Sequence, residues 1–167
     1  GAKFERLAIA LFRYQFEYCE PYSRYATALE RTPDSVSRFE DIPPVPTGAF
    51  KEFELRCFPR EATIKTFRTS GTSLERRGEL LLDTLALYEA SLLANLRKTL
   101  LANLSGQNIE MRFLAPSPKE SPDSSLSHMF ESLRLAEGAP SSGFDLSEGL
   151  LNQDRLLASI TRARAEE

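Results

Sequence analysis

The chain has 167 residues, of which 41% are apolar and 27% charged, and its 21 basic residues against 24 acidic ones leave a formal charge of only −3. A length of this order suits one domain burying roughly 70% of its unfolded surface. The near-neutral balance gives no electrostatic reason to expect nucleic acid or an anionic membrane as partner. No apolar run approaches the ~20 residues of a membrane span, the first residues carry no signal-peptide core, and Cys19 and Cys57 fit neither a CxxC nor a zinc spacing, so a reducing cytoplasm is expected.

In chain order, Phe4, Leu7, Leu11, Tyr14 and Tyr18 recur at three and four and predict a helix over residues 2 to 20. Ile9, Phe12, Phe16 and Cys19 widen its apolar face. Pro21 separates it from a second short helix with a stripe of Tyr22, Tyr25, Ala26 and Leu29, so that residues 1–31 form a helical cap. Pro33, Pro43, Pro44, Pro46 and Gly48 predict an extended crossing over 32–60, with a strand or a helical turn within 52–58.

Residues 61–167 read as an α/β core. Ala62–Arg68 and Gly78–Asp83 are strand-like runs joined by a long tip. Asp83 stands where an N-cap would precede a helix carrying Leu85, Tyr88, Leu92, Leu96 and Leu100. Residues 109–115 predict a strand, Pro116, Pro118 and Pro122 a serine-rich loop, and Asp123 or Ser124 the cap of a helix with Leu126, Met129, Phe130 and Leu133, ended by Gly138. A short strand at Phe144 and a final helix over 150–164 complete the chain. This order predicts a small mixed, partly parallel sheet flanked by helices, in a single α/β domain over 1–167.

The tip carries the chemistry. Thr69, Ser70, Thr72 and Ser73 place four hydroxyls around Gly71, whose missing Cβ lets backbone N–H groups turn toward an anion. Arg68, Arg76 and Arg77 flank it with bidentate donors for phosphate oxygens. The spacing is neither GxxxxGK[ST] nor GxGxxG. By composition alone a plain hairpin tip, with Arg76 and Arg77 paired to Glu75 or Glu79, stays open beside the phosphate cradle. His128, the single histidine, and neighbouring Ser127 follow a strand and a polar loop, where α/β sheets collect ligands, and are candidates to line a substrate pocket; a structural or surface histidine is the alternative. No GxSxG elbow supports a hydrolase, and Cys19 and Cys57 both stand in apolar runs that make inert thiols.

Phe67-Arg-Thr-Ser-Gly-Thr-Ser73 resembles the Thr-Ser-Gly-Thr-Thr-Gly phosphate loop of the adenylate-forming enzyme superfamily. Ile42-Pro-Pro-Val-Pro46, Phe50-Lys51, the loop, Leu82–Tyr88 and Ser124–His128 follow an order similar to that of LuxE-like acyl-protein synthetases. The resemblance covers about residues 40–150. It implies the N-terminal portion of a longer enzyme, with a fold like the N-terminal subdomain of that superfamily. The implied chemistry uses ATP and Mg²⁺ to turn a fatty or aryl acid into an acyl-adenylate, and hands the acyl group to a thiol or an acceptor protein. Carried over by position, Thr69, Ser70, Gly71, Thr72 and Ser73 would contact the β- and γ-phosphates, with Arg76 and Arg77 in place of the family's lysine. The pattern departs at Leu74, where the family has glycine. The competing expectation is a non-catalytic α/β module that binds an anion or a protein at the same tip.

Overall fold

A computed structural model of the chain describes residues 1–69, 76–104 and 109–165. Among them are six α-helices and six short strands, in two compact units over 1–84 and 85–167. No helix among the described residues is long and apolar enough to cross a membrane.

The first unit opens with α1 (Ala2–Tyr18) and α2 (Glu20–Ala28), divided at Cys19, whose extended backbone breaks the helical ladder. Pro21 falls in the first turn of α2, where its missing N–H costs nothing. The face that α1 turns inward is Ile9, Phe12, Phe16 and Cys19. With Tyr22, Ala26 and Val36 it forms a core against which Ile42, Val45, Leu55 and Cys57 pack. Phe4, Leu7, Leu11, Tyr14 and Tyr18, the stripe that the three-and-four spacing picks out first, are instead roughly half exposed. At 3.6 residues per turn the two stripes lie on opposite sides of the helix, so only one can enter a given core.

The proline-rich segment is less extended than its composition predicts. It holds a 3₁₀ turn at Phe39–Asp41 and the single-turn helix α3 (Ala49–Glu52), while residues 53–58 form neither the strand nor the helical turn expected there. The strand pair is shorter than predicted: β1 (Lys65–Arg68) and β2 (Glu79–Leu82) run antiparallel, with Thr66 opposite Leu81 and Arg68 opposite Glu79. Residues 60–62 form a 3₁₀ turn rather than the start of the strand.

In the second unit, α4 (Ala86–Thr99) begins after Leu85 with no side-chain cap, so Asp83 does not serve as one. β3 (Arg112–Phe113) pairs in parallel with β4 (Gly143–Phe144), and a bridge from Ile109 to Gly138 extends the pairing. Between them lies α5 (Ser125–Glu137), capped by Ser124, whose Oγ accepts from the Ser127 amide. Gly138 ends α5 as expected, but in extended backbone: a Cβ there would lie 2.6 Å from the Arg134 carbonyl oxygen, so close approach, not a left-handed turn, requires the glycine. Leu101, Met111, Phe113 and Leu133 make the core, with Phe113 stacked on Phe130 at 4.8 Å.

The last segment departs most from expectation. Leu150–Leu151 is a strand (β6) paired with β5 (Leu146–Ser147) across a turn in which Glu148 (φ 51°) and Gly149 (φ 77°) both have positive φ, and α6 starts only at Gln153, running to Ala165. Two successive positive φ values are the signature of a tight hairpin. The fold is thus mixed α/β with one parallel pair, but among the described residues the strands form three two-stranded sheets instead of one.

Candidate functional site

The neck of the β1–β2 hairpin is tied by three hydrogen bonds. The Thr69 amide donates to the Gly78 carbonyl at 2.9 Å, the Gly78 amide donates to Thr69 Oγ1 at 2.9 Å, and Arg77 Nε donates to the Thr69 carbonyl at 2.7 Å. Thr69 and Arg77, eight positions apart in sequence, are therefore brought together at the root of the tip. The Thr69 hydroxyl accepts here and keeps its proton to donate. Arg76 is exposed beside them. Ser70, Gly71, Thr72 and Ser73 lie outside the described residues. Arg68 is taken by its cross-strand neighbour, with Nε and Nη2 at 3.0 and 2.9 Å from Glu79 Oε1, so Glu79 pairs with this arginine.

Gly78 is buried where the neck presses on α3: a Cβ there would stand 3.2 Å from Thr69 Cγ2 and 3.3 Å from the backbone carbon and Cβ of Phe50. The other side of α3 borders a cavity of about 700 Å³, whose apolar walls include Pro21, Tyr25, Val45, Ala49, Phe53 and Leu55. Such a size falls within the range of small-molecule sites. Two phenols hold the proline-rich wall against α2: Tyr22 Oη donates to the Pro43 carbonyl and Tyr25 Oη to the Pro44 carbonyl, each at 3.1 Å. Burial raises the Tyr22 pKa, keeping that phenol a donor. Neither carbonyl lies in a helix or a strand, and the two phenols satisfy them. Nothing in the proline spacing alone announces a cavity; the signal is the Tyr22/Tyr25 pair on the face of a helix preceding it.

The thiols are poor nucleophiles. Cys19 is buried, and Cys57, half-buried with its thiol facing that of Cys19, has its pKa raised chiefly by desolvation.

In the second unit His128 Nε2 lies 3.1 Å from Glu89 Oε1, joining α5 to α4, and its ring is 5.8 Å from that of Tyr88, whose hydroxyl donates to the Ser125 carbonyl. Ser127 is buried at the first turn of α5. The pair therefore sits in a helix–helix contact, with Glu89 as the partner that spacing did not reveal. Among the described residues no group of three or more His, Cys, Asp or Glu is arranged to hold a metal.

A charged network also went unread in sequence. The Asp145 carboxylate, fully buried, accepts from Arg112 Nε at 2.8 Å and from Arg112 Nη2, with Arg155 Nε at 3.7 Å. Nearby, Glu110 accepts from the Ser159 hydroxyl and from Arg162 Nη2 at 2.8–2.9 Å, and these hydrogen bonds, Ser159's first, lower its pKa. These residues lock α6 onto the parallel pair.

Over 69 residues, 41% of its length, the chain is 29% identical to a protein of Photorhabdus luminescens described as "Long-chain-fatty-acid--luciferin-component ligase", and the match spans 59% of that protein. No family model matches the chain. No solved structure matches it either. The similarity is to a ligase, and it covers only part of either sequence.

Proposed function

We propose that the chain contributes to an ATP-dependent ligase that activates a carboxylic acid, fatty or aryl, as its acyl-adenylate and then passes the acyl group to a thiol or an acceptor protein. The observation that carries this reading is the similarity to a fatty-acid ligase in a chain with a Thr-Ser-Gly-Thr-Ser hairpin tip. In the adenylation step a carboxylate oxygen attacks the α-phosphorus, the bond to the α–β bridging oxygen breaks, and pyrophosphate leaves with the electron pair. Little covalent help is needed; orientation and neutralisation of charge on the leaving group are.

In this reading Thr69, Ser70, Thr72 and Ser73 donate hydroxyl hydrogen bonds to the β- and γ-phosphates, the Gly71 region offers backbone amides, and Arg76 and Arg77 supply charge. Mg²⁺ enters with the nucleotide as the counter-ion of its phosphates. The apolar cavity beside α3 receives the hydrocarbon part of the acid, which its lining suits.

A second reading, a non-catalytic anion- or protein-binding module, draws support from the neck itself: Thr69 Oγ1 and Arg77 Nε are already engaged in hairpin bonds. Acid-dependent pyrophosphate exchange across fatty and aryl acids, run on the longest available form of the protein, separates the two. Exchange that depends on one acid class, with thermal stabilisation by ATP lost in Thr72→Ala and reduced about tenfold in affinity in Arg77→Ala, is the expected result. Absent exchange together with unchanged melting temperature in ATP, AMP and pyrophosphate favours the module.

A further inference from the structure

α1 carries two apolar stripes about 140° apart. One, Ile9, Phe12, Phe16 and Cys19, is consumed by the core of the first unit. The other runs Phe4, Leu7, Leu11, Tyr14 and Tyr18, and its members are 58%, 59%, 51%, 49% and 53% exposed. Their spacing of three, four, three and four is the a/d repeat of a helix that packs along another helix. Phe39, itself 40% exposed, meets Phe4 edge-on at 5.2 Å and lengthens the patch. Scattered exposed leucines are ordinary; a continuous five-residue seam along one helix is an interaction face.

The residues flanking the seam select its partner. On one edge stand Lys3, Ala10 and Glu17, all exposed, and on the other Ala8 and Gln15. Glu17 stands beside the Tyr18 phenol and raises its pKa, and neither Glu17 nor Lys3 forms an ion pair among the described residues. Consider a second α1 laid antiparallel on the first. Phe4 then faces Tyr14 of the second copy and Leu7 faces Leu11, while the Lys3 edge of each helix meets the same edge of the other. Lys3 comes opposite Glu17 of the second copy, twice by symmetry, and the small Ala10 side chains meet at the two-fold axis, where close approach is needed. In the parallel alternative Lys3 would face Ala8 and Ala10 would face Gln15, with no pairing of opposite charges. We propose that two copies of this chain associate through the exposed Phe4–Tyr18 face of α1 in an antiparallel, two-fold symmetric pair, held apolar at the seam and set in direction by Lys3 and Glu17. Such an isologous contact closes on itself and gives a dimer rather than a filament.

The test is sedimentation velocity of the protein over a wide concentration series. The wild type should show a reversible monomer–dimer equilibrium, and Leu7→Glu/Leu11→Glu should be monomeric throughout, with unchanged helicity by circular dichroism because both residues are exposed. Lys3→Glu, which places like charges together at both ends, should raise the dimer dissociation constant about five- to thirtyfold, and Lys3→Glu/Glu17→Lys should bring it back to within about threefold of wild type. A wild-type protein that is monomeric at every concentration overturns the proposal. So does a dimer that survives Leu7→Glu/Leu11→Glu, or one in which the charge exchange restores nothing.

Discussion

Replacing Asp145 by alanine removes the buried carboxylate that pairs most closely with Arg112. The Asp145 side chain has no exposed surface and that of Arg112 only 11%, so neither charge can recover its hydration when the other is lost. Breaking such a buried pair from one side costs about 3–5 kcal/mol, since the remaining ion stays desolvated and unpaired. Arg155, 52% exposed and 3.7 Å from Asp145, is a second cation and offers Arg112 no substitute anion; its own attraction to Asp145 is screened by solvent and adds little to the loss. Arg112 keeps its bond to the Ser141 carbonyl at 2.9 Å and lies 3.9 Å from Glu110, which places the expected loss near the lower end, about 3 kcal/mol. Urea denaturation followed by far-UV circular dichroism should show the midpoint falling by about 1–3 M with the slope little changed. Arg112→Met/Asp145→Leu, which removes both charges, should be less destabilised than Asp145→Ala alone. An Asp145→Ala loss below about 1 kcal/mol, or a double variant as unstable as the sum of its singles, would refute the assignment of a desolvated pair.

Gly78→Ala forces Thr69 Cγ2 or Phe50 to yield a few tenths of an ångström, so a destabilisation of about 1 kcal/mol is expected by urea midpoint, and none would mean that α3 does not press on the neck. Hydrogen bonds hold the carboxyls of Glu110, Glu120 and Glu131 below their ordinary range: Ser159 and Arg162 for the first, Ser147 and the Glu148 amide for the second, Arg134 for the third. A depressed carboxyl contributes stability above its unfolded pKa of about 4.3 and loses it as pH falls through the folded value, so the melting temperature should be flat above pH ~5 and fall on acidification below it. A melting temperature that rises below that pH would contradict the hydrogen bonds. Ala49→Trp should fill the cavity beside α3 and lower the affinity for a fluorescent fatty acid at least about tenfold, while unchanged binding would remove the cavity from the reading of the site.

Local chemistry was legible wherever neighbours in sequence settle the outcome. The serine cap at Ser124, the break at Cys19–Pro21 and the hairpin flanking Thr69–Gly78 follow from caps, proline and β-propensity acting within a few residues. The hydroxyl-rich composition of the tip belongs to the same class. At Leu150–Leu151 local reasoning failed, because two leucines before an amphipathic helix carry the same apolar signal in a strand, and the deciding fact was the positive φ at Glu148 and Gly149.

What sequence by itself determined is that α1 is a helix with apolar residues on more than one side, that the tip between β1 and β2 is rich in hydroxyls and arginine, and that the chain is mixed α/β. Which side of α1 enters the core, that Arg77 turns back onto Thr69, that Tyr22 and Tyr25 brace a proline wall around a cavity, and that Arg112 meets Asp145 thirty-three positions on were decided by tertiary structure alone. The reason is physical: periodicity reports which residues share a face, whereas pairing across long loops depends on which faces find one another, and that is settled only when the chain is packed.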